Sequence, residues 1–369
     1  LCATSLVYFF LDLLSKKINH NTNLSDYLIY VLLATVCDVM PLRKLNRLIA
    51  QKVLKNFDIQ NNLAFKEIFN LKDKKNKIDI DDLGYLIGPI LNAGGRLRKS
   101  SYATELLSTD DLSEINEKSV QLIKLNEKRK NLEKNILDSI NFDKIVDNNK
   151  DIIIYYDPGI NEGLIGIIAA RLKDHFNKPS IVITKSNNIL KGSCRSIFGY
   201  DIGKSIKNSL DENIILNGGG HNMAAGFTLK EENLTKFKKF MSKNFLKNGL
   251  FINYDLCYDA EISSSAFNKD FFTDIKKLEP FGTGNQLPIF YFKDLEIIKT
   301  KIIDNKHILS ILKSKTGFSI NSIAFNSINN EIGKYLINYK KELNVVGQIK
   351  ENFWNNKKTL QLTIKDLIL

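Results

Sequence analysis

Between Asp151 and Thr184 the chain reads strand, helix, strand, and little else fits there. Asp151-Ile152-Ile153-Ile154-Tyr155-Tyr156 carries a continuous apolar run, the pattern of a strand buried on both faces. Gly163 to Phe176 follows as a helix, and Pro179-Ser180-Ile181-Val182-Ile183-Thr184 as a second buried strand. Three such elements within about 35 residues make a βαβ unit, whose crossover obliges the two strands to run parallel. An α/β domain is therefore expected here.

Two glycine-framed polar clusters follow it. The first is Gly192-Ser193-Cys194-Arg195-Ser196. The second is Gly218-Gly219-Gly220-His221-Asn222-Met223-Ala224-Ala225-Gly226. Glycine lets a ligand approach backbone N–H groups closely, and phosphate is the usual guest. The small residues after His221 suit a helix that begins tightly against a sheet, with its positive dipole end toward that guest. One cluster alone is more often plain structure; two together, one with Ser-x-Arg and one with His, read as a phosphate site.

The hydrophobic period changes twice along the chain. From Asp111 to Ile140, Leu112, Ile115, Leu122, Leu125, Leu132 and Ile136 broadly follow helical spacing among Lys, Glu and Asn, so a long, largely exposed connector helix is expected. After Asn248 come short β-like runs at 254–262, 289–298, 308–312, 319–325, 343–349 and 360–364, separated by polar turns. Such spacing suits a small β-barrel.

Composition adds limits. The 369 residues are 43% hydrophobic, enough for two or three cores. A net charge of +12 fits a polyanionic partner, but lysine is spread throughout the chain, so a solvated surface explains the charge equally well. Only seven of the 53 basic residues are arginine, so Arg96, Arg171 and Arg195 mark places where a planar bidentate donor is needed. Cys2, Cys37, Cys194 and Cys257 lack paired spacing, which indicates neither zinc nor a disulfide framework and fits a reducing cytoplasm. No run reaches the ~18 apolar residues of a membrane helix. Leu1 to Leu14 lacks the basic lead of a signal sequence.

Six segments carry a resemblance. Ala34-Thr35-Val36-Cys37-Asp38-Val39-Met40-Pro41-Leu42 resembles the fourth metal motif of the DHH phosphoesterases. Leu91-Asn92-Ala93-Gly94-Gly95-Arg96-Leu97 resembles a segment of the RecJ exonucleases in that superfamily. Gly163 to Leu172, Ser193-x-Arg195 and Gly219-Gly220-His221 resemble the DHH-associated domain. Leu278-Glu279-Pro280-Phe281-Gly282-x-Gly284-Asn285 resembles a signature at the RecJ OB-fold domain. The implied fold class is α/β multidomain: a partial DHH α/β domain over 1–108, a connector helix over 109–148, a DHH-associated α/β domain over 149–249 and an OB-like β-barrel over 250–369.

The resemblance implies 5′–3′ exonuclease action on single-stranded DNA in repair and recombination, through two Mn²⁺ or Mg²⁺ ions. Asp38 would be a metal ligand and, with His221 and Arg96, catalytic; His221 and Arg96 would hold the scissile phosphate. Ser193 and Arg195 would take the 5′-terminal phosphate, with Ser196, Gly219 and Gly220 completing the phosphate site. Tyr291, Phe292 and Trp354 are stacking candidates on the barrel, each also suited to core packing. Implied partners are single-stranded DNA and a single-stranded-DNA-binding protein or helicase; the chain is expected to be a cytoplasmic monomer.

Departures from the family are equally informative. The family's Asp-x-Asp, further Asp and Asp-His-His are missing. Asp79 and Asp81 precede a helix, where capping explains them. His20, His175 and His307 have no acid cluster beside them. The expectation is a RecJ without its first ~150–200 residues, about one domain. Gly94 replaces the family's Ala, an exchange expected to be harmless, and Ile160-Asn161 stand where many members have Trp-His. Two rival readings remain: a non-catalytic single-strand-binding or docking module, and a small-substrate DHH phosphodiesterase, a class that lacks the barrel.

Overall fold

The computed structural model describes residues 1–19, 23–74, 77–97, 99–143, 145, 151–248, 256–339, 341–354 and 357–368, without the side chains of Asn248 and Trp354. His20, the Trp354 ring and the start of the expected 254–262 strand lie outside the described residues. The chain divides into two compact units. Leu1–Phe57 packs with Tyr254–Leu369, and Asp58–Asn253 forms the other.

The first unit opens with three helices, α1 (Ala3–Lys17), α2 (Leu28–Cys37) and α3 (Lys44–Asn56). The apolar run of α2 buries Leu28, Ile29, Val31, Leu32 and Leu33, and the helix ends at Asp38. The basic stretch that follows is helical over α3, with Ile49, Ala50 and Val53 inward.

The second unit begins with α4 (Leu63–Leu71), whose Asn62 side chain accepts from Phe65 N–H. A π-helical turn (Asp82–Ile87) leads into α5 (Gly88–Arg96), with proline in its first turn. Asp79 accepts from the Asp82 N–H at 2.8 Å and Asp82 from the Asp79 N–H at 3.3 Å, so Asp79 is a cap. After α6 (Ser101–Ser108) comes α7 (Leu112–Ser139), one residue shorter at each end than its sequence pattern. Its buried positions include Ile115, Leu122, Asn126 and Glu133.

The strand, helix, strand reading matches β1 (Ile153–Tyr156), α8 (Ile165–Phe176) and β2 (Ser180–Ser186), with β1 and β2 parallel. Next are β3 (Ile189–Arg195), α9 (Ile202–Asp211), β4 (Asn217–His221), β5 (Ala224–Leu229) and α10 (Leu234–Asn248). The sheet order is β1-β2-β3-β5-β4, antiparallel beyond β2. Period-two alternation sorts its faces. Ile153 and Val182 pack with Ile168 of α8, while Ile154, Ile181 and Cys194 pack with Ile206, Phe237 and Met241 of α9 and α10.

One expectation is overturned here. No helix starts after His221. Asn222-Met223 is a two-residue turn, and Ala224–Leu229 returns as a strand paired with Asn217–His221. Ala225, Phe227 and Leu229 alternate into the core, and that period selects a strand over a helix.

The first unit resumes with β6 (Ala260–Glu261), α11 (Lys269–Lys276), β7 (Phe290–Ile303), β8 (His307–Ser314), β9 (Ser319–Ala324), α12 (Glu331–Asn338), β10 (Leu343–Trp354) and β11 (Lys357–Ile368). The pairings run β7-β8-β9-β11-β10, and β10 pairs back onto β7. All are antiparallel except β9 with β11. This ring of pairings, with a helix between β9 and β10, is the OB-like arrangement expected. Phe292 is fully buried in its core, so it is not a stacking surface. Tyr291 is half-buried and stacks on Tyr258, ring centroids 5.1 Å apart.

The loop 278–285 is held by the N-terminal segment of the same unit. Leu42 N–H donates to Thr283 O at 2.7 Å, Arg43 Nε to Gly284 O at 2.7 Å and an Arg47 guanidinium nitrogen to Leu278 O at 2.8 Å.

Candidate phosphate-binding site

Strand register brings the two glycine-framed clusters together. Ser193 pairs with Gly226, which pairs with Gly219; Arg195 pairs with Ala224, which pairs with His221. Directly paired residues, and residues two apart on one strand, share a sheet face. Ser193, Arg195, Gly219 and His221 therefore lie on one face, opposite to buried Cys194. Burial pushes the Cys194 thiol up, which keeps it neutral.

The start of α8 closes against that face. A Cβ on Gly166 would lie 3.1 Å from Ser193 Oγ and 3.2 Å from an Arg195 guanidinium nitrogen. Arg195 donates to the Cys194 carbonyl at 2.8 Å and to Ser193 Oγ at 3.4 Å. Arg96, the last residue of α5, donates to the Gly163 carbonyl at 3.2 Å, and a Cβ on Gly163 would run into the Arg96 carbonyl. Only glycine permits this approach.

Beside Arg96 and Gly163 lies a cleft of ≈ 480 Å³, lined among others by Asn161, Glu162, Lys191, Asn217 and Thr228. Burial lowers the pKa of Arg96, and the charges of Arg129 and Arg195 lower it further. Burial lowers that of Arg195 as well. Both guanidiniums stay charged at neutral pH, and partly desolvated like charges brought together favour an anion. Glu133 supplies the countercharge. It bonds Arg171 Nε at 2.7 Å and an Arg129 guanidinium nitrogen at 3.1 Å. The sequence reading singled out Arg171 but missed Arg129 and Glu133.

Other expected residues sit differently. Ser196 is buried; its hydroxyl donates to Tyr200 O at 2.7 Å and its N–H to Met223 O at 2.9 Å. It braces a turn, with both its hydroxyl hydrogen and its N–H engaged within the protein. Gly219 is open, whereas a Cβ on Gly220 would meet the Ala224–Ala225 backbone. His221 is exposed, and its Nδ1 accepts from Met223 N–H at 3.3 Å, which puts the neutral ring's proton on Nε2. Asn161 accepts from Gly163 N–H at 2.9 Å and so shapes the approach of Gly163 to Arg96. A Cβ on Gly94 would run into the Lys99 carbonyl, so glycine there is required by this backbone and is no neutral exchange.

Asp38 is exposed at the end of α2, in the other unit. Among the described residues no three His, Cys, Asp or Glu side chains are grouped to hold a metal ion. A two-ion centre needs several carboxylates or imidazoles. The donors described in this chain do not fit one. His175 packs on Phe142, and His307 Nδ1 accepts from Asn326 N–H, so both serve structure.

Comparison with known proteins names two of the domains. Residues 149–247 match the DHHA1 domain and residues 258–366 the RecJ OB domain. The single-stranded-DNA-specific exonuclease RecJ of Haemophilus influenzae is 31% identical over 363 residues, covering 93% of this chain and 61% of that protein. The chain thus carries a DHHA1 domain and a RecJ OB domain. RecJ of Bacillus subtilis is 29% identical, over 90% of this chain and 43% of the relative. RecJ of Thermus thermophilus, in a crystal structure with Mg²⁺, superposes with a TM-score of 0.79 at 22% identity, covering 96% of this chain and 54% of that one. A second structure, with Mn²⁺, gives 0.77 at the same identity, with 96% and 51% covered. The RecJ fold is thus shared, while the chain spans less than two thirds of the length of these RecJ relatives. No helix among the described residues is long and apolar enough to cross a membrane.

Proposed function

We propose that this chain is the DNA-holding part of a 5′–3′ single-strand exonuclease of DNA repair and recombination. On its own it binds single-stranded DNA and cuts it poorly or not at all. The observation that carries this reading is the packing of Arg96 against Gly163 and of Arg195 against Gly166, on the sheet face that also carries Ser193 and His221. Ser193 and Arg195 take the 5′-terminal phosphate, with the open backbone at Gly219 and Gly220 beside them. Arg96 and His221 hold the next phosphate. The OB-like ring supplies a surface for bases, with Tyr291 as a stacking residue. Asp38 offers one carboxylate to a Mn²⁺ or Mg²⁺ ion, and no hydrolytic step is assigned to the described residues.

The same reading keeps the domain limits 1–108, 109–148, 149–249 and 250–369. It takes the chain as a cytoplasmic monomer, with a single-stranded-DNA-binding protein or a helicase as a further partner. The test is a 5′-phosphorylated, 3′-labelled oligonucleotide with Mn²⁺. Binding that weakens without the 5′ phosphate, and no digestion, is expected. Efficient digestion that is lost in Asp38→Ala overturns the reading. Absence of binding favours a docking module.

A further inference from the structure

Lysines without an ion-pair partner among the described residues line α9 and α10. Helix α9 begins against the edge strand β4, where a Cβ on Gly203 would lie 2.8 Å from the His221 carbonyl oxygen. Helix α10 is fastened beside it. Asn244 Oδ1 accepts from Ser205 Oγ at 2.8 Å and from the Tyr200 hydroxyl at 3.3 Å. Lys204 and Lys207 are exposed on α9, and Lys236, Lys239, Lys243 and Lys247 on α10.

The arrangement on α10 follows from helix geometry. Phe237, Met241 and Phe245 are its core-facing residues. With about 100° per residue and Phe237 at zero, these span about 0–80°, and the four lysines span about 200–280°, directly opposite. The helix carries no acidic residue. Ion pairs of this unit engage Lys185, Lys191 and Lys230 instead, and none of the six lysines has a partner among the described residues. Four charges over about 16 Å give one every ~5 Å. That is wider than the ~3.4 Å per phosphate along one strand of a duplex, and suits a strand drawn out of its stack.

We infer that these lysines form a track for the phosphates of single-stranded DNA beyond the cleft, carrying the strand around the β4 edge and across α9 and α10. The inference rests on the proposed seating of the 5′ end at Ser193 and Arg195. Its test is separate, because it is read from salt dependence and not from the 5′ phosphate.

The variant is the full chain with Lys239→Gln, Lys243→Gln and Lys247→Gln, all at exposed positions. Binding of 5′-phosphorylated oligothymidylates of about 4 and about 20 nucleotides is followed by anisotropy against KCl concentration. Each lost single-strand phosphate contact should reduce the slope of log K against log salt by about 0.7, so the long probe should lose about 2. The short probe, which ends within the cleft, should keep its slope. An unchanged slope on the long probe overturns the track. So does an equal loss on both probes, or a loss confined to duplex DNA. A wild-type chain indifferent to the 5′ phosphate counts against the cleft and leaves the slope to decide the track.

Discussion

Arg96 and Gly163 hold each other: the guanidinium donates to the Gly163 carbonyl at 3.2 Å, and the Gly163 Cα faces the Arg96 carbonyl with no space for a methyl. The obstruction is backbone, which cannot rotate aside. Gly163→Ala should therefore cost about 1–3 kcal/mol in urea unfolding. Affinity for a 5′-phosphorylated oligonucleotide should fall by about tenfold, or about 1.4 kcal/mol, as Arg96 moves. An alanine variant as stable and as tight-binding as wild type would show that the close approach is dispensable.

Arg195 should not be replaceable by lysine. Its fork is held by the Cys194 carbonyl and by Ser193 Oγ, a planar arrangement that an ammonium cannot copy. Arg195→Lys should lower the preference for 5′-phosphate over 5′-hydroxyl ends by about tenfold, consistent with ~1.5 kcal/mol for a charge-assisted bond. Competition between the two ends measures it, and a retained preference would remove Arg195 from the site.

Tyr200 should govern an alkaline transition. Burial pushes its phenol from 10.0 up to about 12, so the folded state favours the neutral form. Stability from this group is complete below pH ~10 and is lost as pH rises through about 12, to a total of about 3 kcal/mol. Tyr200→Phe should show a smaller alkaline loss in pH-dependent denaturation. An unaltered profile would place the transition elsewhere.

Arg43 and Arg47 should act on the loop 278–285. Each donates a guanidinium N–H to a loop carbonyl. The double alanine variant should lose about 1–3 kcal/mol, at roughly 1 kcal/mol per bond. Hydrogen exchange should quicken at Thr283 and its neighbours first. Unchanged exchange there would mean that Leu42 and Gln51 suffice to secure the loop.

Local periodicity explains what was legible. Strands buried on both faces and the long helix declare themselves within a short window, so β1, α8, β2 and α7 were readable. Ala224–Leu229 was misread because small residues suit a helix start as well as a strand, and only the alternation of Ala225, Phe227 and Leu229 separates them. Helices α11 and α12 were missed because eight residues give too few turns for a period to emerge. At the site, Ser193, Arg195, Arg96 and His221 announced themselves through residue type and glycine context. Arg129 and Glu133 did not, since their meeting with Arg171 depends on two helices distant in sequence. The burial of Ser196 depends likewise on a turn that only the folded chain creates.

One packed unit contains residues 1–57 and 254–369, separated by roughly 200 residues of the other unit. On a ribosome adding about 5–20 residues per second, Leu42, Arg43 and Arg47 wait about 10–40 s before the loop they hold has been made. Through that interval the Leu42 N–H and the two guanidiniums have no loop 278–285 to hold. Within this unit the two packed segments are therefore made at times set apart by the whole length of the other unit.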